Sequence, residues 1–179
     1  MSSTLISPPM LYFINMYILL ILHAVYTAIT IYVFGIPKSL SETYYLYNSK
    51  CKYLGLIFPC LLFTAICFLL PSFLMIGKLE FLIFIAIGSL LFTTITPAFK
   101  TNSIVNNTHT ISAWICAICS LLWMLLVFPV GWKILLLSAI IWAFVFILFG
   151  KLSEFKNTYT FWLENIVFTS LYLVLLLGR

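Results

Sequence analysis

The sequence contains no aspartate, and only four of its 179 residues carry a carboxylate. The lack of aspartate excludes a Ser-His-Asp triad, a DxD metal site and an aspartyl intramembrane protease. Charged residues make up 7% of the chain, against about 25% in an average soluble domain. So few charges do not provide a wettable surface, which excludes a soluble globular protein.

Histidines are scarce as well, with His23 and His109 too far apart for an H-x-x-x-H metal or haem pair. The sequence has no P-loop, no G-x-S-x-G and no H-E-x-x-H motif. It also lacks an arginine ladder, a glycine-rich selectivity filter and a convincing inverted repeat. Cys116 and Cys119 form a C-x-x-C spacing inside an apolar run, where thiols pack as small hydrophobic groups. We therefore expect no metal and no cofactor, and assign no catalytic residue.

Long apolar runs make up most of the sequence. Apolar residues make up 64% of the chain and the mean hydropathy is +1.20. A helix that crosses a bilayer needs about 20 mostly apolar residues, and the chain contains six such runs. The sequence predicts an all-α polytopic membrane bundle of six transmembrane helices, a single integral membrane domain over residues 1–179. The predicted helices cover about residues 10–34, 53–77, 81–96, 111–131, 134–150 and 159–178.

The cations mark the orientation of the chain in a bilayer. The first, third and fifth connections hold six of the nine Lys and Arg residues, and the opposite side holds three. Because cytoplasmic loops are enriched in Lys and Arg, we expect these three connections in the cytoplasm and both termini outside, in the cell membrane. Single cations spread over loops suit lipid phosphates, so the lipid bilayer is the expected partner and nucleic acid is not.

The first run carries a polar stripe on one face, spaced for a helix. Polar side chains inside a membrane face other helices or a cavity, because lipid cannot satisfy them. The stripe is either an interhelical hydrogen-bonded seam or a pathway with a proton-linked site. Its members are Asn15, His23, Tyr26, Thr27 and Thr30.

The fourth run repeats small residues every four positions, a pattern that lets another helix approach closely. We expect this helix to be the central packing helix or a subunit contact, and to begin after an N-cap at Thr108 or Thr110. The small residues are Ser112, Ala113, Cys116, Ala117 and Ser120.

Six crossings would place the loop SLSETYY, the end of the third run, His109 and Glu164 on one side of the membrane. Glu164 is the only carboxylate inside an apolar run, and a charge there costs about 2–3 kcal/mol unless it is paired, protonated or wet. We expect one polar cluster, which is either a latch that holds the loop or a ligand or catalytic site. Its candidates are Ser39, Ser41, Glu42, Tyr44, Tyr45, Lys100, His109 and Glu164.

The order of short segments carries a resemblance. PKSLSETYY is followed by TPAFK, by a lone histidine opening a tryptophan-containing helix, and by FWLE opening the last helix. Through the order of these segments, the chain resembles small bacterial six-helix integral membrane proteins of unknown function. The resemblance implies a bacterial cytoplasmic membrane and polar positions that belong together, and it implies no activity.

Three functions remain open. The first is a non-enzymatic membrane protein that senses, gates or assembles through its cytoplasmic-face polar site, as an oligomer or with a partner in a membrane complex. The second is a small membrane-embedded enzyme acting on a lipid-soluble substrate, with Glu164 and His109 as an acid–base pair. The third is a small channel or transporter lined by the stripe around His23.

Overall fold

A computed structural model describes residues 8–178, and its side chains from residue 13 onward. Residues 1–7 and Arg179 lie outside this range, so the expected placement of both termini does too. Within residues 8–178 the chain is all helical and contains no strand, which confirms the all-α prediction for this range. The helices are α1 Pro8–Phe34, α2 Thr43–Lys50, α3 Ile57–Leu74, α4 Glu80–Ile95, α5 Ser103–Val127, α6 Gly131–Phe149 and α7 Phe155–Leu177.

Five of these helices, α1, α3, α5, α6 and α7, belong to segments long and apolar enough to cross a membrane. The fourth helix, α4, is equally apolar but has 16 residues, about 24 Å at 1.5 Å per residue. Large apolar side chains are exposed along all six of these helices, which fits contact with lipid rather than water.

The first connection contains a helix that the sequence analysis did not predict, α2. The predicted start of the fourth span at residue 111 and its N-cap at Thr108 or Thr110 are also wrong. The helix α5 begins at Ser103, because the side chain of Asn102 accepts the N–H of Val105 at 2.8 Å and caps it. The last two helices likewise begin earlier than expected, at Gly131 and Phe155.

The helices form a closed ring in the order α1, α3, α4, α5, α7, with α6 packed against α5 and α7. Two glycines in the left-handed region, Gly35 (φ +76°) and Gly77 (φ +63°), follow the ends of α1 and α3. A residue with a Cβ is strained in that conformation, so glycine at these positions lets the chain turn where each helix stops.

The helix α4 runs antiparallel to α5, and its two ends meet opposite ends of that helix. Before α4, the carbonyl of Lys78 accepts the indole N–H of Trp123 at 2.8 Å. After α4, the hydroxyl of Thr96 lies 3.2 Å from the ring of His109. The connections before and after α4 therefore lie at opposite ends of the bundle.

The most buried of the long helices is α7, whereas the sequence analysis singled out the fourth span, α5, as the central packing helix or a subunit contact. In the most apolar window of α7, 56% of the residues are buried, against 22% in α5. Each of the two helices packs against three others, α7 against α1, α5 and α6 and α5 against α4, α6 and α7. The difference in burial arises because one side of α5 exposes large apolar side chains such as Ile111 and Leu126.

We expect Trp123→Phe to lower stability by about 1–3 kcal/mol, because it removes the bond to Lys78 and leaves space between Phe73 and Phe128. Thermal unfolding in detergent measures this. The control is Trp132→Phe at an exposed site, with an expected change within about 0.5 kcal/mol. Equal effects of the two substitutions would contradict this packing of α4 against α5.

Candidate functional site

The first connection is fastened to α7 by two hydrogen bonds, each donated by a backbone N–H. The N–H of Leu40 donates to Oε2 of Glu164 at 2.6 Å, and the N–H of Phe161 donates to the carbonyl of Lys38 at 3.1 Å. Leu40 and Phe161 are both buried. The connection is therefore an ordered cap on one end of the bundle.

A second contact joins the same connection to α5 through His109. The ring Nε2 lies 2.8 Å from Oγ of Ser41, and Nδ1 lies 3.2 Å from Oγ1 of Thr96. The hydroxyl of Thr96 donates its only proton to the carbonyl of Phe92 at 2.7 Å. In a neutral imidazole, Nδ1 therefore carries the proton and donates to Thr96, and Nε2 accepts the hydroxyl proton of Ser41. The ring of Phe99 stacks on the imidazole with centroids 4.5 Å apart, which fixes its orientation.

A third contact links the connection to the segment after α4. Lys100 Nζ lies 2.8 Å from Oε1 of Glu42, and the N–H of Lys100 donates to the hydroxyl of Tyr45 at 2.6 Å. Burial raises the pKa of the Glu42 carboxyl, but the hydrogen bonds from Lys100 and from the N–H of Lys38, with the charges of both lysines, together hold that pKa below its usual 4.5.

The structure brings together seven of the eight residues that the sequence analysis grouped, all except Tyr44. We call these seven residues the loop-1 cluster. Of the candidates, Tyr44 differs: its half-buried ring contacts that of Tyr45 with centroids 5.2 Å apart, and it makes none of the polar contacts described above. Glu164 and His109 each bond to a neighbouring residue of the connection, Leu40 or Ser41, rather than to one another. The loop-1 cluster consists of Ser39, Ser41, Glu42, Tyr45, Lys100, His109 and Glu164.

A cavity of about 230 Å³ adjoins this cluster between α5 and α7. His109 and Glu164 both line it, and its walls include Trp114, Ile118 and Leu163, whose side chains are about half exposed. The cavity therefore has a polar end at the loop-1 cluster and an apolar wall that continues to the lipid-facing surface. We call it the lateral cavity.

A smaller cavity of about 60 Å³ lies inside the ring of helices beneath Leu40. Glu164 lines both cavities, as do Ala113 and Ala117 of α5. The small side chains expected to bring helices together thus also leave open space between α5 and α7, because nothing larger than a methyl group projects there.

The stripe on α1 is a hydrogen-bonded seam at its centre. Oδ1 of Asn165 on α7 lies 2.9 Å from Nε2 of His23 and accepts the hydroxyl of Thr27 at 3.1 Å. The amide nitrogen of Asn165 donates to the carbonyl of Phe161 at 2.7 Å, which fixes the amide orientation. All three side chains are buried, and neither of the two cavities described above is lined by a residue of the stripe.

The end of the stripe nearer the first connection contacts α2. The hydroxyl of Thr43 donates to the carbonyl of Leu40, and Tyr26 in turn donates its hydroxyl to Thr43. The hydroxyl of Thr30 lies 3.1 Å from that of Tyr47. The remaining member, Asn15, is half-buried two turns before His23 on the same helix.

Sequence reasoning missed four residues whose side chains complete these hydrogen-bond networks. Asn165 follows Glu164 directly, and as a second polar residue in an apolar run it could have been paired with the stripe. Thr43, Tyr47 and Thr96 carry no such signal, because their partners become known only once α2 and the end of α4 are placed. Within residues 8–178, no three His, Cys, Asp or Glu side chains are grouped as metal ligands are.

We expect the Glu42 contacts to make stability fall as the solution is acidified. A carboxyl whose pKa is lower in the folded state adds stability above its unfolded pKa, and that stability is lost as the pH falls through the folded value. Glu42→Gln should therefore flatten the acid side of a melting-temperature curve below about pH 4.5, by an amount worth at most about 1 kcal/mol for a part-exposed pair. The control is Glu154→Gln, whose carboxylate lies 3.7 Å from Lys151 on the surface. A melting-temperature curve that Glu42→Gln leaves unchanged would contradict the stabilising role of the Glu42 contacts.

Comparisons of the chain with protein-family models, with curated proteins and with solved structures find no match. No family is therefore assigned to the chain. The functional conclusion depends on the loop-1 cluster and on the lateral cavity beside it.

Proposed function

We propose that this chain is a non-enzymatic integral membrane protein that senses an amphiphile, with the apolar part of the ligand in the lateral cavity and its polar group at the loop-1 cluster. The observation that carries the proposal is that one cavity is lined both by polar residues of the cluster and by half-exposed apolar residues of α5 and α7. Ligand sites of this kind are concave, mostly apolar, and supplied with a few polar groups that fix orientation.

The proposal includes six crossings, with the loop-1 cluster on the cytoplasmic face. Two observations support the sixth crossing, α4: its apolar composition and the contacts of its two ends with opposite ends of α5. A span of about 24 Å is accommodated by local thinning of the bilayer. The cytoplasmic placement rests on the lysines, which are concentrated in the connections at the cluster end.

The groups that would bind the ligand are the groups that fasten the first connection. Glu164 bonds to Leu40, Ser41 bonds to His109, and Glu164, Ser41 and His109 all line the lateral cavity. A ligand whose polar group contacts these residues has different affinities for different positions of the connection, and the equilibrium between the positions shifts by that difference. Binding inside the membrane is thereby reported at its cytoplasmic face.

The exposed side of the first connection is the surface that would pass this signal on. Lys50, Lys52 and Tyr53 are exposed there, with the ammonium of Lys52 5.1 Å from the ring of Tyr53. Aromatic and cationic side chains together suit a second copy of the chain or a partner in a membrane complex.

The test is to fill the lateral cavity. We expect Ala117→Trp to abolish crosslinking of a diazirine-labelled single-chain lipid to peptides spanning residues 109–121 and 160–167, because the indole occupies the space between α5 and α7. Mass spectrometry of the digested protein locates the adducts. Ala117→Leu serves as a milder variant, since overpacking costs about 1–3 kcal/mol.

The matched control is Ala143→Trp, an alanine exposed on α6. Crosslinking at the lateral cavity should persist in this variant. Adducts scattered over all lipid-facing helices, and equally abundant in the wild type and in Ala117→Trp, would contradict the proposal.

A second candidate function is a membrane-embedded hydrolase of lipid-soluble esters. The contact that favours it is the hydrogen bond from Ser41 to Nε2 of His109, with Nδ1 of the ring held by Thr96. In this role Oγ of Ser41 attacks the ester carbonyl carbon while its proton passes to Nε2. The C–O bond to the alcohol then breaks and the alcohol takes that proton. Water attacks the acyl-serine, releases the acid and restores the hydroxyl.

A fluorophosphonate probe tests this candidate. A hydrolase should form one phosphonylated adduct on Ser41, with loss of fluoride, and the adduct should be absent in Ser41→Ala. The matched control is Ser39→Ala, which removes a neighbouring hydroxyl that is not bonded to His109 and should leave labelling intact. An unlabelled Ser41 in a folded sample would eliminate the hydrolase.

A further inference from the structure

The lateral cavity is lined by a carboxyl group but, within residues 8–178, by no lysine or arginine. Among the described residues that line it, Glu164 is the only acid and none is a lysine or arginine. Lys100, the cation of the loop-1 cluster, is held by Glu42. The other polar residues that line the cavity are uncharged: Ser39, Ser41, Thr110, Thr160 and His109 in the tautomer derived above.

The Glu164 carboxylate has unused capacity to accept hydrogen bonds. Two carboxylate oxygens offer about four acceptor sites. Within residues 8–178, the single hydrogen bond to this group is that from the N–H of Leu40 to Oε2. A half-buried carboxylate with a free oxygen beside an apolar cavity is stabilised by a donor that carries positive charge.

We infer that the amphiphile bound in the lateral cavity carries an ammonium group that pairs with Glu164. This inference rests on the proposed function. An ammonium offers three N–H donors, which matches the free oxygen of Glu164 together with the hydroxyls of Thr110 and Thr160. Phe99 and Trp114 line the same cavity, and aromatic rings attract a cation. An anionic headgroup would instead bring a second negative charge next to Glu164.

Two kinds of amphiphile carry this group, a protonated long-chain amine and a phospholipid with an ethanolamine head. The experiment compares dodecylamine, dodecanol, dodecanoate and dodecyltrimethylammonium, which share a chain and differ in the head. Separate arms compare phosphatidylethanolamine with phosphatidylcholine. Each compound displaces a fluorescent single-chain lipid from wild-type protein in phosphatidylcholine nanodiscs.

We expect dodecylamine to bind about tenfold more tightly than dodecanol or dodecanoate, because a charge-assisted hydrogen bond strengthens binding by about that factor. Dodecyltrimethylammonium, which has no N–H, should bind more weakly than dodecylamine. Glu164→Gln should remove the preference for the amine. The control Glu80→Gln should keep it, because Glu80 is exposed at the start of α4, at the end of that helix away from the loop-1 cluster. Preferential displacement by phosphatidylethanolamine would identify the phospholipid as the source, and displacement by dodecylamine alone would identify a long-chain amine.

Equal binding of dodecylamine and dodecanol by the wild type would overturn the inference, without recourse to any variant. So would a preference for the amine that persists in folded Glu164→Gln. Either result leaves the proposed function standing, since an amphiphile still binds. Failure of every amphiphile to displace the lipid from the cavity would overturn the inference and the proposed function together.

Discussion

The fastening of the first connection onto α7 is the constraint on which the site depends. The N–H of Leu40 meets the carboxylate of Glu164 across 124 positions of sequence, and the N–H of Phe161 meets the carbonyl of Lys38 close by. Together these bonds place Ser41 against His109 on α5 and bring Glu42 to Lys100. A carboxylate in an apolar run is costly when it is unpaired. The cost for Glu164 is offset by the N–H of Leu40, which reaches the carboxylate only when the first connection is folded over the bundle.

The cavities and the polar groups lie side by side because of the side chains on α5 and α7. Ala113 and Ala117 leave room between the two helices, and Glu164 stands at the boundary of the central and lateral cavities. On the other side of α7, Asn165 holds the α1 stripe through His23 and Thr27. Adjacent residues of one buried helix thus serve two networks: Glu164 faces open space, whereas Asn165 is fully committed to packing. This difference is why the cavity, and not the stripe, is our candidate for binding.

Much of this arrangement follows from the sequence, and the parts that do not have physical reasons. Apolar runs predict the long helices, and alternation of the connections predicts that Lys100, His109 and Glu164 meet the first connection. The helix α2 was missed because its segment, TYYLYNSK, has no apolar periodicity. Thr43 and Tyr47 of this helix are ordered by hydrogen bonds to α1. The early start of α5 depends on one side chain, Asn102, competing with two equally plausible threonine caps. The high burial of α7 depends on which helices surround it, which no single run of residues encodes.

The central claim is that the first connection and the start of α7 lie at the same face of the membrane, opposite the connections that contain Lys78 and Lys133. Its most direct measurement uses a version of the chain in which Cys51, exposed in the first connection, is the only cysteine. Parallel versions carry instead a single cysteine at Asn157, Lys78 or Lys133. A membrane-impermeant maleimide is applied to inside-out and right-side-out vesicles. The account predicts labelling of positions 51 and 157 from the cytoplasmic side, and of positions 78 and 133 from the other side. Labelling of positions 51 and 157 from opposite sides would contradict it.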